Sequence, residues 1–319
     1  MMDIYSESEP EVAQASSKPS ATPTAEPKLP VPKSSYERSP DVQRWLQEQA
    51  LEDGGTKGEF NPTFLAGSRD RLWILSSLTH FYQEDLITDV LHVVKSGKEA
   101  TVYCCAADPA TGTDYLAAKV YRPRMFRNLS NDAVYRHSRA QHDQDGHVVR
   151  DDRRRKGNKK NTRNRATEVT SWITYEFQTQ QKLHAAGADV PRALSQIGNA
   201  VLMEYVGVVD EPAPLLREVR IPREEAQPLW DCLWHNIELF LANDCVHGDL
   251  SAYNILYWQG HVTIIDFAQA VDPRYNQEVY ELLARDIERV YRYFAPYGVV
   301  ADPGALTAEL WTRYMLGEL

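Results

Sequence analysis

The stretch that decides the fold is HGDLSAYN at His247–Asn254, followed by the apolar run VTII at Val262–Ile265 and then by Asp266. Asp249 and Asn254 are five positions apart, the spacing found in catalytic loops that transfer a phosphoryl group from a nucleotide. In such loops the Asp meets the acceptor hydroxyl and the Asn reaches a metal ion. A carboxylate such as Asp266, after an apolar strand, can coordinate Mg²⁺, because this hard cation prefers oxygen ligands. Each residue alone would be an ordinary turn former, so the combination carries the prediction.

The chain upstream of this loop is predicted to contain a three-stranded antiparallel sheet. Three runs rich in β-branched and aromatic residues are separated by turn-forming residues, at Thr88–Val94, Ala100–Ala106 and Tyr115–Tyr121. The third run carries Lys119 among apolar neighbours, and Glu176 lies on the next predicted helix. A Lys–Glu pair of this kind orients the ammonium towards nucleotide phosphates, whereas an unpaired strand lysine would point to solvent. We therefore predict that these two residues pair.

The turn between the first two runs contains Ser96, Gly97 and Lys98. It has one glycine, whereas a phosphate-covering loop of the G-x-G-x-x-G type has three. Backbone N–H groups, the Ser96 hydroxyl and the Lys98 ammonium can still contact phosphate groups. We therefore predict that this turn lies over a nucleotide.

Apolar residues at helical spacing predict that most of the remaining chain is helical. The predicted helices run from about Arg69 to Gln83, from about Thr167 to Gly187, and over Glu224–Asn243, Glu278–Phe294 and Ala305–Leu316. Short strands are predicted at Ala200–Tyr205, Asn254–Tyr257 and Val262–Ile265. A β-rich part followed by a helical part indicates the α+β class.

The composition divides the chain into three parts. Residues 1–38 are rich in Pro, Ser, Ala, Thr and Glu and poor in large apolar residues, so we expect a disordered tail. Residues 39–84 form a predicted helical extension whose first helix is capped by Ser39. The predicted catalytic domain is 85–319, with a β-rich lobe over about 85–205 and a helical lobe over about 206–319.

The net charge of −10, from 35 Lys and Arg against 45 Asp and Glu, hides an uneven distribution. Residues 122–165 contain 14 Lys or Arg and 5 Asp or Glu, and we expect a mostly disordered loop there. Its most basic part, Arg150–Arg165, can contact RNA or a ribosomal particle by neutralising phosphates. No aromatic residues follow Tyr135 within the loop to stack on bases. The alternative is a solvated linker, or a loop that folds back on the acidic body.

The cysteines and the N-terminus bear on location. The four cysteines form no C-x-x-C pair, so we expect neither a structural zinc site nor a disulfide framework. The N-terminus lacks the apolar region of a signal peptide, and the apolar runs are far shorter than the roughly 20 residues of a membrane helix. We therefore expect a cytoplasmic protein that makes no contact with a membrane.

As a set, these motifs resemble the RIO family of atypical serine/threonine protein kinases. The resemblance is carried by SGKEATVY at Ser96–Tyr103, AKVY at Ala118–Tyr121, HGDLSAYN at His247–Asn254 and IIDFAQAV at Ile264–Val271. It covers about residues 85–300. It implies a protein-kinase-like two-lobed fold, with an antiparallel β N-lobe and a reduced, mainly helical C-lobe, and the use of ATP with Mg²⁺ or Mn²⁺.

The resemblance also implies roles for individual residues. Asp249 would be the catalytic Asp. Lys119 would also be a catalytic residue, and together with Glu176 it would orient the phosphates of the bound nucleotide. Asn254 and Asp266 would hold the metal ion.

The resemblance further implies two nucleotide-binding segments and a brace. The turn would lie over the nucleotide, and the hinge would bind adenine through backbone groups. The residues of the turn would be Ser96, Gly97 and Lys98, and those of the hinge Met203, Glu204 and Val206. Asp286, on a later helix, would brace the catalytic loop by resemblance, and a solvated helix Asp is the alternative.

The chain departs from ordinary kinases after Asp266. Pro273 follows only seven residues later, a helix is predicted soon after it, and there is no A-P-E motif. The family resemblance implies this loss, which leaves no room for a long activation loop. Ordinary docking of a peptide substrate therefore lacks an obvious platform.

These observations favour an ATP- and Mg²⁺-dependent kinase that phosphorylates serine or threonine in proteins, itself included. One alternative is an ATPase that drives the assembly of a ribosome or another ribonucleoprotein. Another is a phosphotransferase for small molecules such as antibiotics, which shares the catalytic loop but not the SGKEA turn. The sequence leaves the protein substrate open.

Overall fold

The computed structural model of the chain describes most of the sequence from residue 58 onwards. The described residues are 58–64, 68–97, 99–122, 141–142, 148–149, 162–276 and 278–319. All of them belong to one compact unit, Tyr36–Leu319. Several predicted features lie outside the described residues. They are the tail 1–38, the helix that begins at Ser39, the turn residue Lys98 and most of the basic segment 122–165.

The described helices and strands follow the predicted order, with a β-rich part before a helical part. In chain order they are α1 (Ser68–Gln83), β1 (Ile87–Ser96), β2 (Ala100–Ala107), β3 (Tyr115–Tyr121), β4 (Gln141–His142), β5 (Val148–Val149), α2 (Thr162–Ala185), β6 (Ala193–Ile197), β7 (Ala200–Glu204), β8 (Gly207–Val208), β9 (Glu211–Pro212), α3 (Arg223–Ala242), β10 (Ile255–Trp258), β11 (His261–Ile264), α4 (Val279–Phe294) and α5 (Pro303–Leu316). The α+β class is thereby confirmed. None of the described helices is both long and apolar enough to cross a lipid bilayer.

A five-stranded antiparallel sheet organises the β-rich part, in the order β1-β2-β3-β7-β6. The predicted three-stranded antiparallel sheet is confirmed as β1-β2-β3. Strand β7 pairs with the other edge of β3, which makes β3 the central strand. The segment that follows β7, where the hinge is predicted, is thereby brought beside the strand that carries Lys119.

Strand β3 separates the apolar core from the candidate site. Alternate residues of a strand point to opposite faces of the sheet. Leu116, Ala118 and Val120 are buried on one face, in an apolar cluster that they share with helix α1. Tyr121 is buried on the other face against residues of α2, and Lys119 shares that face by alternation. The local sequence therefore directs the Lys119 side chain away from the core.

Helix α1 covers the outer face of the sheet. Ile74, Leu78 and Phe81 are fully buried, at the i, i+4 and i+7 spacing that places side chains on one side of a helix. They belong to the same apolar cluster as the outward face of β3. The helix before the sheet is therefore part of the packed fold.

The helical part is built around a second apolar core. Helices α3, α4 and α5 and the β10–β11 hairpin contribute to it. Helix α3 buries the stripe that its sequence predicts, at Leu229, Leu233, Ile237 and Leu241. The hairpin matters for the site, because the HGDLSAYN loop comes directly before β10 and Asp266 follows shortly after β11.

The fold differs from the sequence predictions in several short strands and in the start of helix α2. Strand β6 is not predicted, because a short edge strand such as ALSQI depends on hydrogen bonds to β7 more than on its own pattern. Helix α2 begins at Thr162, about five residues before the predicted start. The prediction began late because the first turn has no apolar residues from which a helical period can be recognised. The short β4–β5 pair lies within the segment where the sequence predicts a mostly disordered loop.

Candidate active site

Lys119, on the central strand β3, lies between two carboxylates and is largely shielded from solvent. Its Nζ lies 2.7 Å from Oε1 of Glu176 on helix α2 and 2.9 Å from Oδ1 of Asp266. The side chains of Lys119 and Glu176 are only 13% and 4% exposed. The predicted pair therefore forms, and Asp266 joins it from 147 positions further along the chain.

The electrostatics of this cluster keep Lys119 and Asp266 charged. Burial tends to lower the pKa of an amine, but Asp266 and Glu176 outweigh it, so the pKa of Lys119 lies well above its ordinary value. The Lys119 ammonium in turn lowers the pKa of Asp266, although burial opposes this. At neutral pH the cluster therefore presents a fixed ammonium and an ionised carboxylate, the groups that polyphosphates and divalent cations bind.

Two aromatic residues hold helix α2 in this position. The Tyr121 hydroxyl donates to Oε2 of Glu176. Its ring meets Trp172 edge-on, with 5.2 Å between the ring centroids. The Trp172 indole N–H donates to the Ala268 carbonyl at 3.1 Å. Each oxygen of Glu176 therefore has a partner, and its helix is tied to the segment that follows Asp266.

Asp266 has a backbone conformation that few residues adopt. Its φ of 73° and ψ of 69° lie in the left-handed region. That region costs an L-residue roughly 1–2 kcal/mol, and Asp is one of the few non-glycine residues that visit it. Strained residues of this kind cluster at functional sites. The side chain is 44% exposed, so a ligand can reach its carboxylate.

His247 joins the catalytic loop to the segment before Asp266. Its Nδ1 accepts the Asp249 backbone N–H at 3.3 Å, so Nε2 carries the ring proton and donates to the Ile265 carbonyl at 3.2 Å. Burial lowers the pKa of this imidazole below its ordinary value. The ring is therefore uncharged at neutral pH, and its two hydrogen bonds brace the loop.

Asp249 and Asn254 face each other across the loop. The Asn254 amide nitrogen donates to the Asp249 backbone carbonyl at 2.9 Å and lies 3.4 Å from Oδ2 of the Asp249 side chain. The Ile265 N–H donates to the Asn254 carbonyl at 2.9 Å, which links the loop to the segment before Asp266. The Asp249 side chain is 50% exposed, so an acceptor can approach it.

The residues present fit a hard divalent cation. Because the amide nitrogen of Asn254 is committed to Asp249, its amide oxygen is the atom left for a ligand. Asp266 adds a carboxylate, and Mg²⁺ is usually held by one or two such groups together with substrate phosphates and water. Across the described ranges, no three His, Cys, Asp or Glu side chains form a cluster that could hold a metal. This donor set suits a cation that arrives with a nucleotide.

Helix α4 braces the backbone of the catalytic loop. Asp286, which is 2% exposed, accepts the N–H of Gly248 at 2.7 Å and that of Leu250 at 3.0 Å. Arg285 donates to the Gly248 carbonyl. Burial raises the pKa of Asp286 to about 7, although these N–H groups and Arg285 oppose the rise. Of the two interpretations of Asp286, the brace is therefore correct and the solvated helix residue is wrong.

The turn after β1 is closed by hydrogen bonds. Ser96 is exposed, and its hydroxyl accepts from Nη2 of Arg122 at 2.6 Å. The Gly97 N–H donates to the Ala100 carbonyl at 2.9 Å. Lys98 lies outside the described residues. The position of this turn over a nucleotide stays a prediction.

The predicted hinge lies at the end of β7. Met203 pairs with Ala117 of β3, and Glu204 pairs with Leu116. The Val206 carbonyl, just beyond the strand, accepts from the Ala213 N–H at 3.0 Å. Met203 and Glu204 therefore pair with β3 two and three positions before Lys119, whereas Val206 lies beyond the strand. Adenine binding stays a prediction.

Sequence reasoning missed residues that support this site. The Tyr121 hydroxyl, the Trp172 indole and Arg285 have no predicted role, and neither does Arg289, whose Nη1 lies 2.7 Å from Oδ1 of Asp249. Alternation on β3 could have placed Tyr121 beside Lys119. Helical spacing could have placed both arginines on one face of α4.

The fold and the site together define the protein-kinase class. The family model described as the RIO domain matches residues 110–304, about three fifths of the chain. The chain belongs to this family.

Relatives with this domain are known from distant organisms. The chain is 29% identical over 224 residues to serine/threonine-protein kinase RIO1 from Caenorhabditis elegans. This alignment covers 70% of the chain and 40% of the relative. The chain is 31% identical over 219 residues to RIO-type serine/threonine-protein kinase Rio1 from Haloferax volcanii, and this alignment covers 67% of the present chain and 66% of the relative. The match thus spans less than two thirds of each relative. A solved structure, the Rio2 kinase-ADP/Mg²⁺-phosphoaspartate complex from Chaetomium thermophilum, aligns with a TM-score of 0.49 and 17% identity over 85% of each chain.

Gly248 is predicted to be essential for the shape of the catalytic loop. Its φ is +77°, and a Cβ there would overlap the Gln269 carbonyl oxygen. We expect Gly248→Ala to lower the free energy of unfolding by about 2–5 kcal/mol, from the left-handed φ and the overlap together. The control is Gly260→Ala in the β10–β11 turn, where φ is +83° but no heavy atom lies within 4 Å. It is expected to lose only about 1–2 kcal/mol. Urea unfolding measures both, and equal losses would contradict the prediction.

The raised pKa of Asp286 predicts a pH dependence of stability. Between its ordinary value and about 7, the folded protein keeps a proton that the unfolded chain has lost. The free energy of unfolding should therefore fall as the pH rises through this interval. Asp286→Asn cannot titrate, so its curve should lack this decline, although it is less stable overall because its NH₂ group faces one of the two N–H donors. Denaturant unfolding at a series of pH values gives both curves, and parallel curves would refute the prediction.

Proposed function

We propose that the protein is an ATP- and Mg²⁺-dependent kinase that phosphorylates serine or threonine in proteins, itself included. The observation that carries the proposal is the convergence of Lys119, Glu176 and Asp266, with the His247–Asn254 loop hydrogen-bonded to the segment before Asp266. Relatives named as serine/threonine-protein kinases support proteins as the acceptors.

The described contacts allow a division of labour among the residues. Lys119 presents its ammonium to the nucleotide phosphates, and Glu176 keeps it from turning away. Asp249 orients the acceptor hydroxyl and accepts its proton. Asn254 and Asp266 hold Mg²⁺, which when bound neutralises charge on the phosphate oxygens. Most of the rate acceleration in such a reaction comes from positioning and charge stabilisation.

The β7 end of the sheet supports a nucleotide as the phosphoryl donor. Val102 pairs with Lys119, and Ala117 pairs with Met203, so apolar residues lie on the face of the sheet that carries the ammonium. An adenine ring can pack on these side chains. The backbone groups of Glu204 and Val206, just beyond, can bind its edge.

The test of this function is Asp249→Ala with labelled ATP. Loss of the carboxylate is expected to reduce transfer to protein by at least about a hundredfold, because the acceptor is no longer oriented or deprotonated. Binding of MgATP should be nearly unchanged, since Lys119, Asn254 and Asp266 remain. Phosphoprotein formation and nucleotide titration measure the two effects.

Asp231→Ala is the matched control, because Asp231 is an exposed carboxylate on α3 whose hydrogen bond, among the described residues, is to Gln227 of the same helix. It should keep full activity. Undiminished transfer by Asp249→Ala would overturn the assignment. Free phosphate without phosphoprotein from the parent would favour the alternative, an assembly ATPase, and transfer to small hydroxylated compounds alone would favour a small-molecule phosphotransferase.

For the basic segment, we propose contact with RNA or a ribosomal particle, and for the protein as a whole a cytoplasmic location. The charge supports the contact, since Arg150–Arg165 holds nine Lys or Arg and two Asp or Glu. Clusters of this kind release counterions when they neutralise phosphates, so their affinity falls with salt.

Deletion of residues 150–161 tests this contact and leaves helix α2, which begins at Thr162, intact. We expect the deletion to abolish salt-sensitive binding of a fluorescent single-stranded RNA and of ribosomal subunits. Thermal unfolding should be unchanged, which serves as the control for folding. Equal affinity of parent and deletion variant across a salt series would rule out the contact.

A further inference from the structure

Helix α4 contacts the side chain of Asp249 as well as the backbone around it. Asp286 and Arg285 hold the backbone of Gly248, and Asp286 also holds that of Leu250. One turn after Arg285, Nη1 of Arg289 lies 2.7 Å from Oδ1 of Asp249. Three side chains on one helix face therefore hold one short stretch of the loop.

The ion pair between Arg289 and Asp249 differs from an ordinary surface pair. Its partners are 40 positions apart and are 38% and 50% exposed. By contrast, Arg292 on the same helix pairs with Glu288 four positions away, at 74% and 46% exposure. The second pair depends only on the helix, whereas the first depends on how α4 packs against the catalytic loop.

The loop itself supplies no cation. HGDLSAYN contains neither Lys nor Arg, and the residue before Asp249 is a glycine. The positive charge beside Asp249 therefore comes from α4. Arginine suits this role, because its guanidinium stays charged and its N–H donors have a fixed geometry.

We propose that Arg289 is a positioning residue for phosphoryl transfer. It holds Oδ1 of Asp249, so that Oδ2 is the oxygen that meets the acceptor hydroxyl. Oδ2 lies 3.4 Å from the Asn254 amide nitrogen, a weak contact that an incoming hydroxyl can displace. Without Arg289 the carboxylate can rotate, and the acceptor loses its orientation. This inference rests on the proposed kinase function.

The kinetic test compares Arg289→Ala and Arg289→Lys with the parent protein. Arg289→Ala is expected to lower kcat about ten- to a hundredfold, in the range that misplacement of a reacting group produces. The KM for ATP should stay within about twofold, because the nucleotide-binding residues are untouched. Arg289→Lys should recover most of the activity, since an ammonium can still pair with the carboxylate.

The matched control is Arg292→Ala, which removes an arginine one turn away that, among the described residues, pairs with Glu288 of its own helix. It should match the parent in kcat and KM. A thermal unfolding curve checks that each variant is folded, since a half-exposed ion pair contributes little to stability.

Crystal structures of the parent and of Arg289→Ala give a readout that does not depend on activity. The Asp249 carboxylate is expected to leave its place in the variant. The inference is overturned if Asp249 stays where it is, if kcat of Arg289→Ala matches the parent, or if Arg292→Ala loses as much. If the parent transfers phosphate to no acceptor, the proposed function fails, and the position of Asp249 alone then decides whether Arg289 positions it.

Discussion

Lys119 keeps its charge at a position that is only 13% exposed, because two carboxylates from distant parts of the chain meet it there. An ammonium that leaves water loses several kcal/mol of hydration, and only close counter-charges and hydrogen bonds compensate for this. Glu176 brings one carboxylate on helix α2, and Asp266 brings the other after β11. Tyr121 then satisfies the second oxygen of Glu176. The buried charge is therefore compensated only where the sheet, α2 and the segment after β11 come together.

The catalytic loop depends on a second set of contacts, from helix α4. Asp286 accepts hydrogen bonds from two backbone N–H groups of the loop, and Arg289 forms an ion pair with the carboxylate of Asp249. Gly248 allows this arrangement, because the loop turns there with a positive φ against the Gln269 carbonyl. The segment after Asp266 is short, and Trp172 fastens it directly to α2. Parts that a long activation segment can order in ordinary protein kinases are here held by direct contacts.

Local patterns were sufficient for much of the fold. Strands β1 to β3 and helices α3 and α4 follow their own periodicities, so their bounds agree with the predictions within a few residues. The Lys119–Glu176 pair was also predictable, since a lysine among apolar strand residues needs a partner nearby. Strand β6 and the first turn of α2 were not, because the first depends on β7 and the second has no apolar residue to show its face.

By itself the sequence determined which elements form and which residues have the spacing for phosphoryl transfer, because both depend on short-range geometry of the chain. The proximity of Asp249 and Asn254 follows from their spacing of five residues within one loop. Only the tertiary structure decided that Asp266 reaches Lys119 across 147 positions and that Arg289 reaches Asp249 across 40. Those contacts depend on how the sheet, the hairpin and α4 pack against one another, and the periodicity of the sequence does not predict that packing.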